Sequence, residues 1–392
     1  MPQTLPRWGG TLPDVICFSH LRWDSVVQRP HHLMRRWAHE RRVFWVEEPL
    51  YGATAPTLEV RPSEVEDLKV IVPRLPDDLQ GAAADHVVAS ALAALAGDAE
   101  IESHIRWYYT PRLLPYAQQL PRPIVVVYDC MDELSAFAGA LPSLGHFENC
   151  LFHAADVVFT GGMSLYEAKR GRHARVHPFP SSVDVAHFRR ARAPQAGPVD
   201  QQSLPRPRLG FFGVLDERLD LELVCGVADL RPRWQLIFVG PTAKIDPATL
   251  PCRANVHYLG PKPYRELPAY LAGWDVALLP FARNEATRYI SPTKTPEYLA
   301  GGAPVVSTSI NDVIEPYGRL GLARIADTPD AFVAACEAAM REDRHARLAA
   351  VDRFLAGRSW DRTWRAMRSI ITEIARPVAA ARTPAENAWS TT

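Results

Sequence analysis

The residues best suited to chemistry fall in one short run, Tyr289-Ile290-Ser291-Pro292-Thr293-Lys294-Thr295-Pro296-Glu297-Tyr298-Leu299-Ala300-Gly301-Gly302-Ala303-Pro304-Val305-Val306. Either Ser291-Pro292 or Thr295-Pro296 can act as N-cap and first helical residue, and Gly301-Gly302 stops the helix before an apolar strand. A helix N-terminus offers unpaired N–H groups and partial positive charge to an anion. Lys294 adds a full charge there, roughly 4 kcal/mol against a phosphate at about 4 Å and an effective dielectric of about 20. Glu297, three residues on, projects from the same face, and a carboxylate can accept from two neighbouring ribose hydroxyls. Together they describe a site for a nucleoside diphosphate held without metal. In isolation Lys294 and Glu297 would be read as an exposed i, i+3 pair on an ordinary helix, so the surrounding pattern carries the distinction.

In the first half, His20, Arg22, Asp24, Arg29 and His32 cluster after the first strand, and Tyr128, Asp129, Asp132 and Glu133 follow a central one. These suit an acceptor side, with Asp24, Arg29 and His32 as binding residues. A hydroxyl that attacks directly needs a group to take its proton, and Asp132, then His20, are the candidates. A packing or capping role is the alternative for His20 and His32, and an N-cap role for Asp132. Neither Asp129-Cys130-Met131-Asp132 nor His31-His32 has the spacing of a metal site, so no metal is expected.

Positioning these residues requires loops at strand ends. Short β-branched runs alternate with helix-period stretches along the chain, which indicates βαβ units and parallel sheets. Expected strands are 14–19, 42–47, 105–110, 124–130 and 156–160, then 208–214, 234–240, 256–260, 275–281 and 303–308. Expected helices include 30–40 and 85–96. The Pro-rich stretch 191–207 reads as a linker between a domain at 1–190 and another at 208–358. Trp360, Trp364, Met367, Ile370, Ile371 and Ile374 make an apolar stripe on a helix at 359–376, and 377–392 reads as a disordered tail. The fold class is thus α/β, two Rossmann-like domains facing across a cleft, with ligands expected outside the carboxyl ends of the strands. No G-x-G-x-x-G follows the first strand of either half, which argues against a dinucleotide oxidoreductase.

The 392 residues suffice for two cores. Lys plus Arg and Asp plus Glu number 44 each, which removes the bulk electrostatic case for nucleic acid. Six scattered cysteines lack a C-x-x-C pair, and no signal-like or membrane-spanning run occurs, so a cytoplasmic protein is expected. Arg35, Arg36, Arg41 and Arg42 around Trp37 suggest either peripheral contact with the inner membrane surface or a solvated arginine face.

The run from Ser291 resembles the donor-binding helix of group 1 glycosyltransferases of the GT-B fold, with its Ser-Pro-x-Lys-x-x-Glu-Tyr-Leu-Ala-x-Gly-x-Pro-Val-Val pattern. Gly210-Phe211-Phe212-Gly213-Val214 is similar to the first strand and glycine turn of that family's donor domain, and Pro180-Ser181-Ser182-Val183-Asp184 to the sequence closing its first domain. The resemblance implies a GT-B architecture whose C-terminal helix crosses back onto the first domain. It implies a nucleotide-sugar donor, UDP- or GDP-linked, bound by Gly213, Arg218, Ser291, Lys294, Thr295 and Glu297, with no further cofactor. The implied acceptor is a sugar or lipid-linked hydroxyl, in cell-surface polysaccharide or glycolipid synthesis. A sugar-nucleotide epimerase and a non-catalytic nucleotide-sugar-binding module are the rival readings. One departure is Tyr289, which stands where retaining members carry a second carboxylate, with Glu285 the nearest acid upstream.

Overall fold

The computed structural model describes residues 13–382. Two sheets organise them. The first contains β1 (Asp14–Ser19), β2 (Val43–Glu47), β3 (Leu50–Tyr51), β4 (Thr57–Pro62), β5 (Leu68–Leu75), β6 (His104–Tyr108), β7 (Val125–Cys130), β8 (Val157–Thr160) and β9 (Val176–Pro178). Its order is β3-β5-β2-β1-β6-β7-β8-β9, with β4 added antiparallel to β5. The second contains β10 (Arg208–Phe212), β11 (Gln235–Val239), β12 (Val256–Tyr258), β13 (Val276–Leu279), β14 (Val305–Ser307) and β15 (Ala323–Ile325), in the order β12-β11-β10-β13-β14-β15.

Both sheets are built outward from their first strand and then reverse. The reversal falls between β1 and β6 in one and between β10 and β13 in the other, where flanking loops splay apart and leave a crevice. Strand composition explains the burial: Val125 to Tyr128 and Leu236 to Val239 are apolar on both faces because helices cover both sides. The fold is therefore α/β with two Rossmann-like sheets.

The last helix, Trp360–Arg382, runs past the expected end at 376, and residues 383–392 of the expected disordered tail lie outside those described. Trp360, Met367, Ile371 and Ala375 are fully buried in the same cluster as Trp37, Trp45 and Trp107 of the first sheet's layer. Trp360 stacks on His32, ring centroids 4.8 Å apart, and Trp364 meets Trp37 edge-on at 5.7 Å. The apolar stripe is thus satisfied by crossing back onto the first domain.

The segment 191–207 is laid along the second domain rather than spanning free. Arg192 donates to the Ala300 carbonyl at 2.7 Å, and buried Gln201 accepts from Trp274 at 2.8 Å and donates to Tyr270 O at 3.1 Å. A further tie crosses between domains: Asp312 accepts from the backbone N–H groups of Met163 and Ser164, both at 2.9 Å, capping the Met163–Lys169 helix.

The four arginines around Trp37 are consumed by intramolecular contacts. Arg35 pairs with Glu64, Arg36 with Asp361 and Arg42 with Asp14, while buried Arg41 donates to Pro13 O and lies over the Trp37 ring. Among the described residues no helix is long and apolar enough to cross a membrane.

Candidate active site

The loops at the second sheet's reversal build a cleft lined by Gly213, Arg218, Gly240, Lys262, Tyr264, Lys294 and Glu297. Phe212 and Val239 are paired in register at the ends of β10 and β11, so the glycines that follow them face one another. Gly213 has φ +135° and Gly240 φ +150°, a region L side chains rarely enter. A Cβ on Gly240 would land on the Gly213 carbonyl, and one on Gly213 would meet the Lys294 side chain. The two glycines therefore let backbone and lysine converge on the same space.

The helix holding Lys294 and Glu297 spans Lys294–Gly301 and ends at Gly302 in the left-handed conformation, φ +86°. It begins at Lys294, not at either expected Pro. Ser291 serves the domain junction instead of capping: its Oγ accepts from Ser181 N–H at 3.4 Å and its carbonyl accepts from the Ser181 hydroxyl. Thr295 is buried with an unpartnered hydroxyl and is not among the lining residues.

Lys294 has no ion pair among the described residues; its ammonium lies over the rings of Phe211 and Phe281, at 5.3 and 5.9 Å. Burial, then the charge of Arg218, pulls its pKa down. Burial pushes the Glu297 carboxyl up, against the attraction of Lys294. Arg218 gives Nε and Nη2 to Asp216, with Nη2 at 2.6 Å. Lys294 is thus a desolvated cation beside a second, Arg218, which Asp216 holds, and such a pair of cations favours an anion between them.

A second, adjoining pocket contains Gln28, Arg29, Asp132, Arg218, Ser291 and Lys294. Asp132 from the first domain thereby meets the cations of the second. Burial pushes its carboxyl up to about 6, moderated by Arg218, Lys294 and Arg29.

The other expected acceptor-side residues are not brought into these pockets, apart from Arg29. Arg29 is spent on buried Asp129 at 2.8 Å and on Phe179 O at 2.5 Å. His32 is buried between Trp360 and Tyr264, with its pKa lowered by burial and by Arg36 and Arg35. Asp24 is exposed and pairs with Arg61 at 2.5 Å. His20 lines neither pocket, and burial, then the Lys244 charge, holds its pKa down at about 4. Tyr289 packs against the first domain's core, and Glu285 is exposed and paired with Arg288.

Sequence reasoning missed Gly240, Tyr264 and Gln28. Gly240 carried a signal, since it ends β11 as Gly213 ends β10. Gln28 gave none, because only the docking of the first domain brings it to the cleft, and Tyr264, which follows β12, stands in no motif. Among the described residues no group of three His, Cys, Asp or Glu side chains could hold a metal ion.

A family model described as glycosyl transferases group 1 matches residues 206–342. A protein of Bacillus subtilis (strain 168) named for glycosyl transfer in teichuronic acid biosynthesis, TuaH, is 27% identical over 252 residues, which cover 59% of this chain and 62% of that relative. The match thus spans about three fifths of the curated relative. A structure titled trehalose-6-phosphate from E. coli bound with UDP-2-fluoro glucose aligns with a TM-score of 0.66 at 12% identity, over 92% of this chain and 99% of that one. The α,α-trehalose 6-phosphate synthase of Burkholderia multivorans aligns at 0.64 with 15% identity, over 95% and 100%. At such identities the structures speak for the fold, and the matched segment is the one that builds the cleft. Residues 206–342 are thus similar to group 1 glycosyl transferases, and the chain as a whole shares the fold of these solved structures.

Proposed function

We propose that the protein moves a sugar from a UDP- or GDP-linked donor to an acceptor hydroxyl. The observation that carries this reading is the meeting of Lys294, Arg218 and Glu297 in one cleft with Asp132 facing them from the other domain. Lys294 and the free edge of Arg218 hold the diphosphate and stabilise the charge it gains as the sugar–phosphate bond breaks. Glu297 accepts from the ribose hydroxyls. Asp132 takes the proton of the attacking hydroxyl, a role its raised pKa suits near neutrality. Two fixed cations supply the electrostatic stabilisation, so the step as proposed calls on no cofactor beyond the nucleotide sugar itself.

The name of the Bacillus subtilis relative supports an acceptor in cell-wall polysaccharide synthesis. The test is turnover of UDP- and GDP-sugars labelled in the sugar, with and without glycan acceptors, by parent and Asp132→Asn. Release of nucleoside diphosphate with transfer or slow hydrolysis of the label, lost in the variant, is the expected outcome. A label that is epimerised but never released would refute the reading, as would saturable binding with no turnover on any acceptor.

A further inference from the structure

A buried charge network next to Asp132 is left unused by the chemistry above. Lys169, the last residue of the Met163–Lys169 helix, is 4% exposed. Its ammonium lies 2.6 Å from Glu133 and 2.8 Å from Glu148. Glu148, on the Leu144–Ala154 helix, also accepts from the Tyr128 hydroxyl at 3.0 Å and from Arg172. Burying an ammonium is costly unless carboxylates compensate it. Glu148 and Arg172 already complete a satisfied pair within the helical layer. Glu133 is different, because it belongs to the loop after β7 and immediately follows Asp132.

The near side of that loop is anchored by backbone. Gly161 N–H donates to the Cys130 carbonyl at 2.9 Å, and a Cβ on Gly161 would collide with the Met131 carbonyl. Asp132 therefore sits between a backbone anchor at 130–131 and an ionic anchor at 133. Further along, Phe137 lies under the donor-domain cations Arg218 and Lys244, at 5.5 and 4.9 Å, so the loop's far part depends on the other domain. Among the described residues, only the Glu133 contact fixes the loop beyond Asp132 from within its own domain by a buried charge.

Resting on the proposed transfer reaction, we propose that Lys169 is a positioning residue, which through Glu133 holds the loop so that the Asp132 carboxylate faces Lys294 and Arg218 across the cleft. The ammonium touches neither donor nor acceptor and acts through the geometry of Asp132. A carboxylate misplaced by about 1 Å can lose two orders of magnitude in rate.

Glu133→Gln tests this directly, because it removes the loop's charge and leaves the Lys169–Glu148 pair intact. Lys169→Met, and the double variant Glu133→Gln/Lys169→Met, test whether the two act as one unit. Two readouts are taken on the full chain: amide hydrogen exchange across 131–143 without ligand, and the pH dependence of donor turnover. The charged groups facing Asp132 are Arg29 from its own domain and Arg218, Lys294 and Asp216 from the other.

Glu133→Gln is expected to speed exchange in 131–143, to lower turnover about tenfold or more with nucleoside diphosphate affinity retained, and to move the acid limb to lower pH as Asp132 gains water. The double variant should be no worse than the more impaired single one. Exchange at the parent rate would overturn the tether, whatever the activity. Loosened exchange with an unmoved acid limb and rate would overturn the positioning role. Absence of donor turnover in the parent would count against the transfer reading instead, and nucleoside diphosphate titration separates the two.

Discussion

Replacing Lys294 with methionine should weaken nucleoside diphosphate binding and leave the free protein at least as stable as the parent. In the unliganded protein the ammonium has two phenylalanine rings beneath it and no ion-pair partner, and the charge of Arg218 is close enough to depress its pKa. Such a charge costs the folded state, and a methionine of similar length fills the same space without that cost. The ligand reverses the balance. A phosphate at about 4 Å gains roughly 4 kcal/mol at an effective dielectric of about 20, an upper figure in a cleft that water enters. The net worth of a charged hydrogen bond is about 1.5–3 kcal/mol, so the dissociation constant should rise about 10- to 150-fold. The cationic form is the one that binds, so parent affinity should also fall as pH rises into the alkaline range where the depressed lysine loses its proton. Calorimetric titration with UDP and GDP at fixed ionic strength, beside thermal unfolding of both free proteins, measures each part. A variant that unfolds well below the parent and binds nucleotide equally well would refute the reasoning, because Lys294 would then serve the fold.

Three further outcomes follow from the same geometry. Asp132 is pushed up to about 6 by burial; a carboxyl raised in the folded state costs stability as pH climbs from its unfolded value through that point. Asp132→Asn should therefore be as stable as the parent at pH 7.5 by thermal unfolding, while turnover falls by about 10²–10⁴ and loses its acid limb near 6. Gly240→Ala places a Cβ on the Gly213 carbonyl at a φ of +150°, so strain of about 1–3 kcal/mol should appear in denaturant unfolding together with weaker nucleotide binding; parent-like values for both would deny the close approach. Trp360→Ala removes a fully buried ring from the interface between the last helix and the first domain, and about 3–5 kcal/mol should be lost in urea unfolding, whereas a near-parent midpoint would show that the helix is not docked there.

Much of the architecture was legible because it rests on local composition. Unbroken apolar runs such as Val125 to Tyr128 and Leu236 to Val239 indicate strands covered on both faces, and they are strands of the two sheets. The hairpin of β4 and β5 was not foreseen: Leu68 to Leu75 contains Pro73, and β4 alternates with charged residues at the sheet's margin, so neither gives a clear period. Within the site, Lys294 and Glu297 were legible because they share one helix, and Gly213 because a glycine turn ends a strand. The first-domain residues were harder. His20, Asp24, Arg29 and His32 all follow β1 as polar residues should at a ligand-facing end, yet Arg29 is consumed by Asp129 and His32 by Trp360. Which polar side chain faces a ligand and which braces the scaffold depends on partners 100 or more residues away in sequence, as the Arg29–Asp129 separation shows, and spacing along the chain does not encode that.

The most direct measurement of the central claim is a crystal structure of the protein with UDP or GDP bound. The account predicts the diphosphate between Lys294 and Arg218, beneath the Gly213 turn, with the ribose hydroxyls at Glu297 and the open end of the phosphate chain toward Asp132. A nucleotide lodged elsewhere, or one in this cleft with its phosphates turned away from Lys294, would contradict it.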